Sequence, residues 1–296
     1  MRKTPPSQEP ASARATLDGL DIHWLEWGET GRPLALCVHG FPDSPHTFRH
    51  LGPALAGAGY HVVAPWLRGY APSAVAADGN YRVGALVGDT VALADHIGAL
   101  DAVLVGHDWG AIIGYATVAL HPDRFRRLVT LAVPPLGSVM AGFLTYPQIR
   151  RSWYMFVFQH ALAEAVVAAD DLAFIDGLWA EWSPGYDASV DLGHVKDALR
   201  DPANLAAAIG YYRAMLGADQ TGATDADQAA MLPSPVPTLY LHGATDGCMG
   251  AELVGGAEAS MPTAGSRAEI LDGVGHFLQL EDPPTVNRLI VDFLTD

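Results

Sequence analysis

The sequence predicts an α/β protein, with a mostly parallel eight-stranded sheet, helices on both faces and an inserted helical cap. Two observations lead to this fold class. Short, uniformly apolar runs alternate with amphipathic stretches, which is typical of parallel strands covered on both faces. Residues 135–235 interrupt this alternation, because they show no convincing strand and are rich in Ala, Trp and Tyr at helical spacing.

Composition narrows the class of function. The chain has 296 residues, of which 50% are hydrophobic and 17% charged, so it can bury a large core. Its formal net charge of −16 leaves no basic surface for nucleic acid and disfavours an anionic membrane. We find no apolar run of secretory or membrane-spanning type, and two cysteines do not make a disulfide framework. We therefore expect a cytoplasmic monomer or homodimer.

The first half of the sheet follows from the N-terminal pattern. Residues 1–14 are expected to form a loose tail. Residues 15–17 and 21–27 flank Asp18-Gly19 and predict a β-hairpin. The next three strands are predicted at apolar runs that each end in a Gly- or Pro-containing loop: 34–38, 61–64 and 102–105.

The second half resumes after the helical stretch. Further strands are predicted at residues 127–131, 238–241 and 268–271, and a last helix after Pro283-Pro284. Prolines bound the helical stretch on both sides. We therefore expect a core domain of residues 1–134 and 236–296 and a cap of residues 135–235.

A candidate nucleophile lies where one predicted strand meets a helix. The strand at 103–106 runs into Gly106-His107-Asp108-Trp109-Gly110 and then into a helical pattern at 111–120. In this context a G-x-S-x-G turn exposes a serine nucleophile, and here Asp108 takes the serine's place. An N-cap aspartate is the ordinary alternative, but it does not require the two flanking glycines. The motif predicts the α/β-hydrolase fold with a carboxylate nucleophile.

A carboxylate nucleophile limits the reaction. Serine attack on a saturated carbon would leave a stable ether, whereas carboxylate attack leaves an ester that water can cleave. We therefore expect the substrate's electrophile to be an sp³ carbon.

The partners of Asp108 follow in the order that this fold uses. Asp246 comes after the strand at 238–241, and His276 comes after the strand at 268–271. A turn aspartate and a surface histidine are common separately, but this order favours an acid and a base. An acid after residues 127–131 is the alternative, and residues 132–135 contain no carboxylate.

The segment His39-Gly40-Phe41-Pro42 follows the predicted strand at 34–38. This is where the second donor of an oxyanion hole belongs, so we expect the backbone N–H groups of Phe41 and Trp109 to form it. Pro42 has no N–H. His39 is interpreted as a structural hydrogen-bonding residue.

On these motifs the chain resembles the epoxide hydrolases of the α/β-hydrolase superfamily, from about residue 15 to its end. The resemblance implies that Tyr154 and Tyr212, from two cap segments, bind the epoxide oxygen. A core-filling role is the alternative for Tyr212, because it shares an apolar helical stripe with Leu205, Ile209 and Leu216. Tyr211 or Tyr70 could be the donor instead. The supporting segments are Arg68-Gly69-Tyr70, Gly275-His276, residues 153–159 and Tyr211-Tyr212-Arg213.

The resemblance implies hydrolysis of a small apolar epoxide to a vicinal diol. Asp108 would form a hydroxyalkyl ester, which water activated by His276 would cleave, and this scheme needs no cofactor and no metal. Phenols remain protonated at neutral pH and can protonate the leaving oxygen. The expected pocket lining is apolar, with Phe41, Trp109, Trp153, Met155 and Phe158.

Two other functions remain open. A haloalkane dehalogenase shares the nucleophile but needs N–H donors for a halide, and Phe41 has no side-chain donor, so Trp153, Trp179 or Trp182 would have to supply one. A fluoroacetate-type dehalogenase is disfavoured, since Trp109 stands where that group has arginine. A non-catalytic binder of small molecules could share the fold, although the intact triad disfavours it.

Overall fold

The computed structural model describes residues 9–99, 101–217 and 220–296, without the side chain of Ala141. One eight-stranded sheet has the order β1-β2-β4-β3-β5-β6-β7-β8, and all pairs from β4 onward are parallel. This confirms the predicted fold class. The strands are β1 (Ala11–Leu17), β2 (Leu20–Trp27), β3 (Leu34–Val38), β4 (His61–Pro65), β5 (Ala102–His107), β6 (Phe125–Leu131), β7 (Thr238–Gly243) and β8 (Arg267–Leu271).

The N-terminal hairpin is longer than predicted. Asp18 and Gly19 both have positive φ, as a two-residue hairpin turn of this kind requires. The expectation of a loose tail was wrong for residues 11–14, because Ala11 pairs with Glu26 and Arg14 with His23. The first residues of β1 are largely exposed, so they lack the apolar alternation by which a strand is recognised in a sequence. Residues 1–8 lie outside the described residues.

Helices cover both faces of the sheet. Within the described residues, no strand lies between β6 and β7, where six helices follow one another. The sheet helices are α1 (Leu51–Gly57), α2 (Val83–Ile97), α3 (Trp109–Leu120), α10 (Leu278–Glu281) and α11 (Pro283–Thr295). The helices between β6 and β7 are α4 (Leu136–Phe143), α5 (Tyr146–Arg151), α6 (Trp153–Val157), α7 (Ala163–Trp182, kinked at 169–172), α8 (Ser189–Leu199) and α9 (Pro202–Leu216).

Three 3₁₀ helices complete the described secondary structure: Pro45–Phe48, Asp225–Met231 and Ala251–Ser260. None of the helices in the described ranges is long and apolar enough to cross a membrane.

The core has two layers because successive strand residues point to opposite faces. Cys37 and Val105 pack with residues of α1 and α11 on one face. Leu36 and Leu104 pack on the other face with residues of α2 and α3, in a cluster that continues into α6, α7 and α9. The helices between β6 and β7 therefore share a core with one face of the sheet. The carboxyl ends of the parallel strands, where an open α/β sheet binds its ligands, lie at one edge.

Candidate active site

The turn after β5 holds Asp108 in a strained backbone conformation. Its φ is 53° and its ψ is −115°, outside the regions that L-residues ordinarily occupy. The turn requires glycine on both sides: a Cβ on Gly106 would collide with the backbone of Gly110, and a Cβ on Gly110 would collide with the Val38 carbonyl. This geometry is the nucleophile elbow that the sequence predicts, with Asp108 almost fully buried.

One carboxylate oxygen of Asp108 is held by the loop after β3. The backbone N–H of Phe41 donates to Asp108 Oδ1 at 2.8 Å. Trp109 is the first residue of α3, so its N–H has no acceptor within the helix. Both predicted oxyanion-hole residues thus flank the carboxylate, one through a direct hydrogen bond and one through its position next to Asp108 in the chain.

His276 lies between two carboxylates. Its Nδ1 is 2.9 Å from Asp246 Oδ2, and its Nε2 is 3.6 Å from Asp108 Oδ2. The other oxygen of Asp246 accepts hydrogen bonds from the N–H groups of Cys248 at 2.7 Å and Met249 at 2.9 Å. The structure therefore brings together the three residues that the sequence separates, in the arrangement of nucleophile, base and orienting acid.

The two neighbouring carboxyl groups favour the protonated form of His276. Burial by itself would lower the pKa of the imidazole, but Asp246 and Asp108 outweigh it and raise the pKa of His276 to about 10. Burial likewise tends to raise the pKa of Asp246, yet His276 and the Met249 N–H hold it below its ordinary value. The two neighbouring carboxyl groups thus favour the imidazolium form of His276 in the resting site.

His39 has the structural role that we expect from the sequence. Its Nδ1 is 2.9 Å from the Gly40 carbonyl, and its Nε2 accepts a hydrogen bond from the Leu67 N–H. Burial lowers the pKa of His39 to about 3, so the ring is neutral and can accept that bond. The ring fixes the loop that carries Phe41.

Tyr154 from α6 and Tyr212 from α9 lie side by side, with ring centroids 5.6 Å apart. The Tyr154 hydroxyl is 3.5 Å from Cys248 Sγ. The Tyr212 hydroxyl is buried and has no hydrogen-bond partner among the described residues. Burial raises the pKa of both phenols well above 10, and the negative charge of Asp108 raises them further. Both side chains therefore remain protonated and can act as donors.

The two alternative tyrosines are placed differently. The Tyr211 hydroxyl donates to the Arg68 carbonyl at 2.8 Å, so its proton is not available to a substrate. Tyr70 packs edge-on against His39 at 4.9 Å, beneath the loop of Phe41. Of the adjacent pair on α9, Tyr212 has the free hydroxyl.

A cavity of about 280 Å³ opens beside Asp108. Trp109 and Met155 line it, as predicted. Phe41 and Phe158 do not line it, so their predicted position was wrong: both rings pack edge-on against Tyr212, with centroids 5.2 and 5.1 Å away. The full lining is mostly apolar: Val83, Asp108, Trp109, Ile112, Val133, Leu136, Val139, Met140, Phe143, Met155, Tyr212, Met215, Leu216, Asp227, Gln228, Met231, Cys248 and Met249.

Trp153 does not belong to this lining, so its predicted position is wrong. Its side chain is 38% exposed and packs on Phe174, with ring centroids 5.3 Å apart. The reason is helical geometry: α6 turns Tyr154 inward, and the preceding residue, about 100° away around the axis, points outward.

Sequence reasoning missed most of the cavity wall. Five of the seven methionines line it, and only Met155 was expected. Cys248 was considered only for disulfide pairing, which the structure excludes by leaving both cysteines free. The available signal was position alone, since Cys248 and Met249 lie two and three residues after Asp246, the predicted acid of the triad.

Comparisons with known proteins agree with this geometry. The profile of the alpha/beta hydrolase fold family matches residues 33–283. Epoxide hydrolase A of Mycobacterium tuberculosis is 31% identical over 97% of this chain and 98% of its own, and epoxide hydrolase B of that organism is 31% identical over 88% and 91%. The crystal structure of epoxide hydrolase A from Mycobacterium thermoresistibile superposes with a TM-score of 0.81 at 28% identity, covering 97% of this chain and 98% of that one. The chain belongs to the epoxide hydrolases of the α/β-hydrolase superfamily.

Proposed function

We propose that this protein hydrolyses a small apolar epoxide to a vicinal diol, with residues 135–235 as the cap over the site. One observation carries the proposal: a buried carboxylate, Asp108, and a phenol without a partner, Tyr212, line the same apolar cavity. Opening an epoxide needs a nucleophile at carbon and a proton donor at oxygen. The relatives named epoxide hydrolases support the same reaction.

In the first step, a carboxylate oxygen of Asp108 attacks one ring carbon and the bond from that carbon to the epoxide oxygen breaks. Tyr154 and Tyr212 hydrogen-bond to this oxygen, and one of them transfers its proton. The products are a hydroxyalkyl ester on Asp108 and a phenolate. The apolar lining favours a neutral substrate and excludes bulk water from the ester.

Ester formation prepares His276 for the second step. Asp108 loses its negative charge, and with it one of the two interactions that hold the pKa of His276 near 10. Proton exchange between the imidazolium and the phenolate restores the phenol and leaves His276 neutral. Its Nε2 can then remove a proton from water, while Asp246 holds the ring through Nδ1.

Hydrolysis proceeds at the carbonyl carbon of the ester. Water adds there, and the N–H groups of Phe41 and Trp109 stabilise the negative charge on the oxygen. When the acyl bond breaks, the His276 imidazolium gives its proton to the leaving alkoxide and the diol is released. The carboxylic acid left on Asp108 then returns a proton to His276, which restores the Asp108 carboxylate and the imidazolium. The oxygen delivered to the diol comes from Asp108, and the oxygen of water remains on the enzyme.

Single-turnover labelling tests this scheme. With enzyme in excess over an epoxide in H₂¹⁸O, the first turnover should give a diol without ¹⁸O, and a second turnover should incorporate the label. Full incorporation of ¹⁸O in the first turnover would show direct attack of water and refute the ester mechanism.

The dehalogenase alternative depends on which tryptophan N–H groups could reach a halide in the cavity. Among the residues that line the described cavity, Trp109 is the one tryptophan. Trp179 already donates its Nε1–H to the Pro42 carbonyl at 2.9 Å, and Trp153 points outward. Trp182 is buried against Tyr154 and His276 and does not line the described cavity, but its indole N–H has no partner among the described residues, so the substrate screen must decide this alternative. A screen of styrene-type, aliphatic and terpene epoxides beside short haloalkanes should give diol and no halide, and absence of turnover on all of them would favour a binder.

A further inference from the structure

Three chemically different ligand groups meet where Asp108 and Cys248 line the cavity. A carboxylate oxygen of Asp108, the sulfur of Cys248 and a ring nitrogen of His276 all lie within 4.8 Å of one another. All three residues are buried. Carboxylate, thiolate and imidazole are the ligands that Zn²⁺ takes in proteins. Neither the proposed reaction nor the family comparison assigns any role to Cys248.

The spacing is close to that of a tetrahedral site. Around Zn²⁺, with bonds of about 2.0–2.3 Å, neighbouring ligand atoms lie roughly 3.3–3.7 Å apart. His276 Nε2 and Asp108 Oδ2 are already at 3.6 Å. The sulfur of Cys248 lies at most 4.8 Å from each of the other two ligand atoms. A movement of roughly 1 Å toward them would complete a three-ligand site. Its fourth position would face the cavity, which both Asp108 and Cys248 line.

The surroundings of His276 also suit a metal ligand. Nε2 has no hydrogen-bond partner among the described residues, whereas Nδ1 is bound to Asp246. A carboxylate on the second ring nitrogen is the usual arrangement for a histidine that binds zinc, because it orients the ring and makes it more basic. Asp246 is itself held by two backbone N–H groups.

Charge favours entry of a cation. The cavity lining includes the acidic residues Asp108 and Asp227 and contains no lysine or arginine. The whole chain carries a formal net charge of −16. A divalent ion that reaches the cavity therefore moves toward negative potential and meets no lysine or arginine in the lining, and it displaces the proton of the His276 imidazolium when it binds.

We propose that Asp108, Cys248 and His276 bind Zn²⁺ or a similar thiophilic divalent cation, and that this ion inhibits the enzyme competitively with substrate. Binding displaces the thiol proton of Cys248 and the imidazolium proton of His276, so two protons leave for each ion bound. The bound ion occupies the nucleophile and the base together. The inhibition rests on the proposed roles of Asp108 and His276, whereas the binding of the metal does not.

Cobalt absorption tests the site without using activity. Co²⁺ added to the full-length protein should give the charge-transfer band of a thiolate ligand and the visible bands of a tetrahedral ion, and Zn²⁺ should displace it. Cys248→Ser should abolish the thiolate band. Cys37→Ala is the matched control, since Cys37 is the other buried cysteine and lies in β3 in a different core cluster, and it should retain the band.

Inhibition gives a second, quantitative readout. Each variant is compared with its own metal-free activity, after circular dichroism has shown that it is folded. Losing a ligand should raise the Zn²⁺ inhibition constant by about 100-fold or more in Cys248→Ser and Cys248→Ala, because even outer partners of a zinc ligand contribute 10- to 100-fold. In the wild type, inhibition should tighten by roughly tenfold or more from pH 6.5 to 7.5, since protons are released.

Two results would overturn the proposal. One is a Co²⁺ spectrum without a thiolate band in the folded wild type. The other is an equal Zn²⁺ inhibition constant in the wild type and both Cys248 variants. Either result leaves the labelling test of the ester mechanism untouched, so the two proposals fail separately.

Discussion

Adjacent tyrosines on α9 provide a paired test of the site, because their hydroxyl groups have opposite environments. The Tyr211 hydroxyl donates to the Arg68 carbonyl, whereas the Tyr212 hydroxyl is buried without a partner among the described residues. Replacing each by phenylalanine removes one oxygen and preserves the packing of the ring. The two variants should therefore change stability and activity in opposite ways.

The expected magnitudes follow from these contacts. Tyr211→Phe loses a hydrogen bond and should destabilise the protein by about 1 kcal/mol, while kcat/KM stays within about threefold of the wild type. Tyr212→Phe removes a hydroxyl whose burial costs stability, so it should leave stability unchanged or raise it by up to about 1 kcal/mol. Its kcat/KM should fall by about 100-fold, since general acid catalysis contributes about 10²–10⁴ and Tyr154 remains.

Urea unfolding and steady-state hydrolysis of one epoxide measure both quantities on the same preparations. A difference of 1 kcal/mol corresponds to a shift in Tm on the order of 2 °C for a protein of this size. The reasoning is refuted if Tyr212→Phe keeps full kcat/KM, or if Tyr211→Phe loses activity while Tyr212→Phe loses stability.

Three further predictions address the triad and the cavity. His276→Gln should stop turnover and accumulate the ester, so its mass should increase by that of the epoxide; an unchanged mass after incubation would contradict the scheme. The pKa of His276 is raised from 6.5 to about 10, so its contribution to stability is complete below pH 6.5 and is lost as pH rises toward 10. The advantage of the wild type over His276→Gln in urea unfolding should decline across that interval, and a constant advantage would count against the ion pair. Met155→Ala should raise KM several-fold and Trp153→Ala should not, because Met155 lines the cavity and Trp153 points outward.

The elbow and the triad could be predicted from the sequence because their requirements are local. A sharp turn between strand and helix needs small residues on both sides of the nucleophile, and this need is visible in the sequence as Gly106 and Gly110. Asp246 and His276 follow strands whose carboxyl ends meet at one edge of a parallel sheet. Order along the chain was therefore sufficient to group them.

The cavity wall could not be predicted in the same way. Its residues come from five separate helices, a 3₁₀ helix and several loops, and which of them face inward depends on how these elements pack. Trp153 illustrates the difficulty, since a shift of one position on α6 separates a buried residue from an exposed one. Methionine carries little directional information, because its flexible side chain fits many environments.

Two buried polar atoms without hydrogen-bond partners lie where the reaction is proposed to occur. Tyr212 Oη and His276 Nε2 make no hydrogen bond among the described residues. For the neutral Tyr212 hydroxyl this costs stability, whereas His276 Nε2 lies 3.6 Å from Asp108 Oδ2 in an ion pair. An epoxide oxygen would accept from Tyr212, and in the ester state a water would donate to His276. Each step of the proposed reaction thus supplies a partner that the free enzyme lacks. An interaction lowers a barrier only as far as it is stronger in the transition state than with the bound substrate, and the Tyr212 hydrogen bond meets this condition because negative charge grows on the epoxide oxygen as the ring opens.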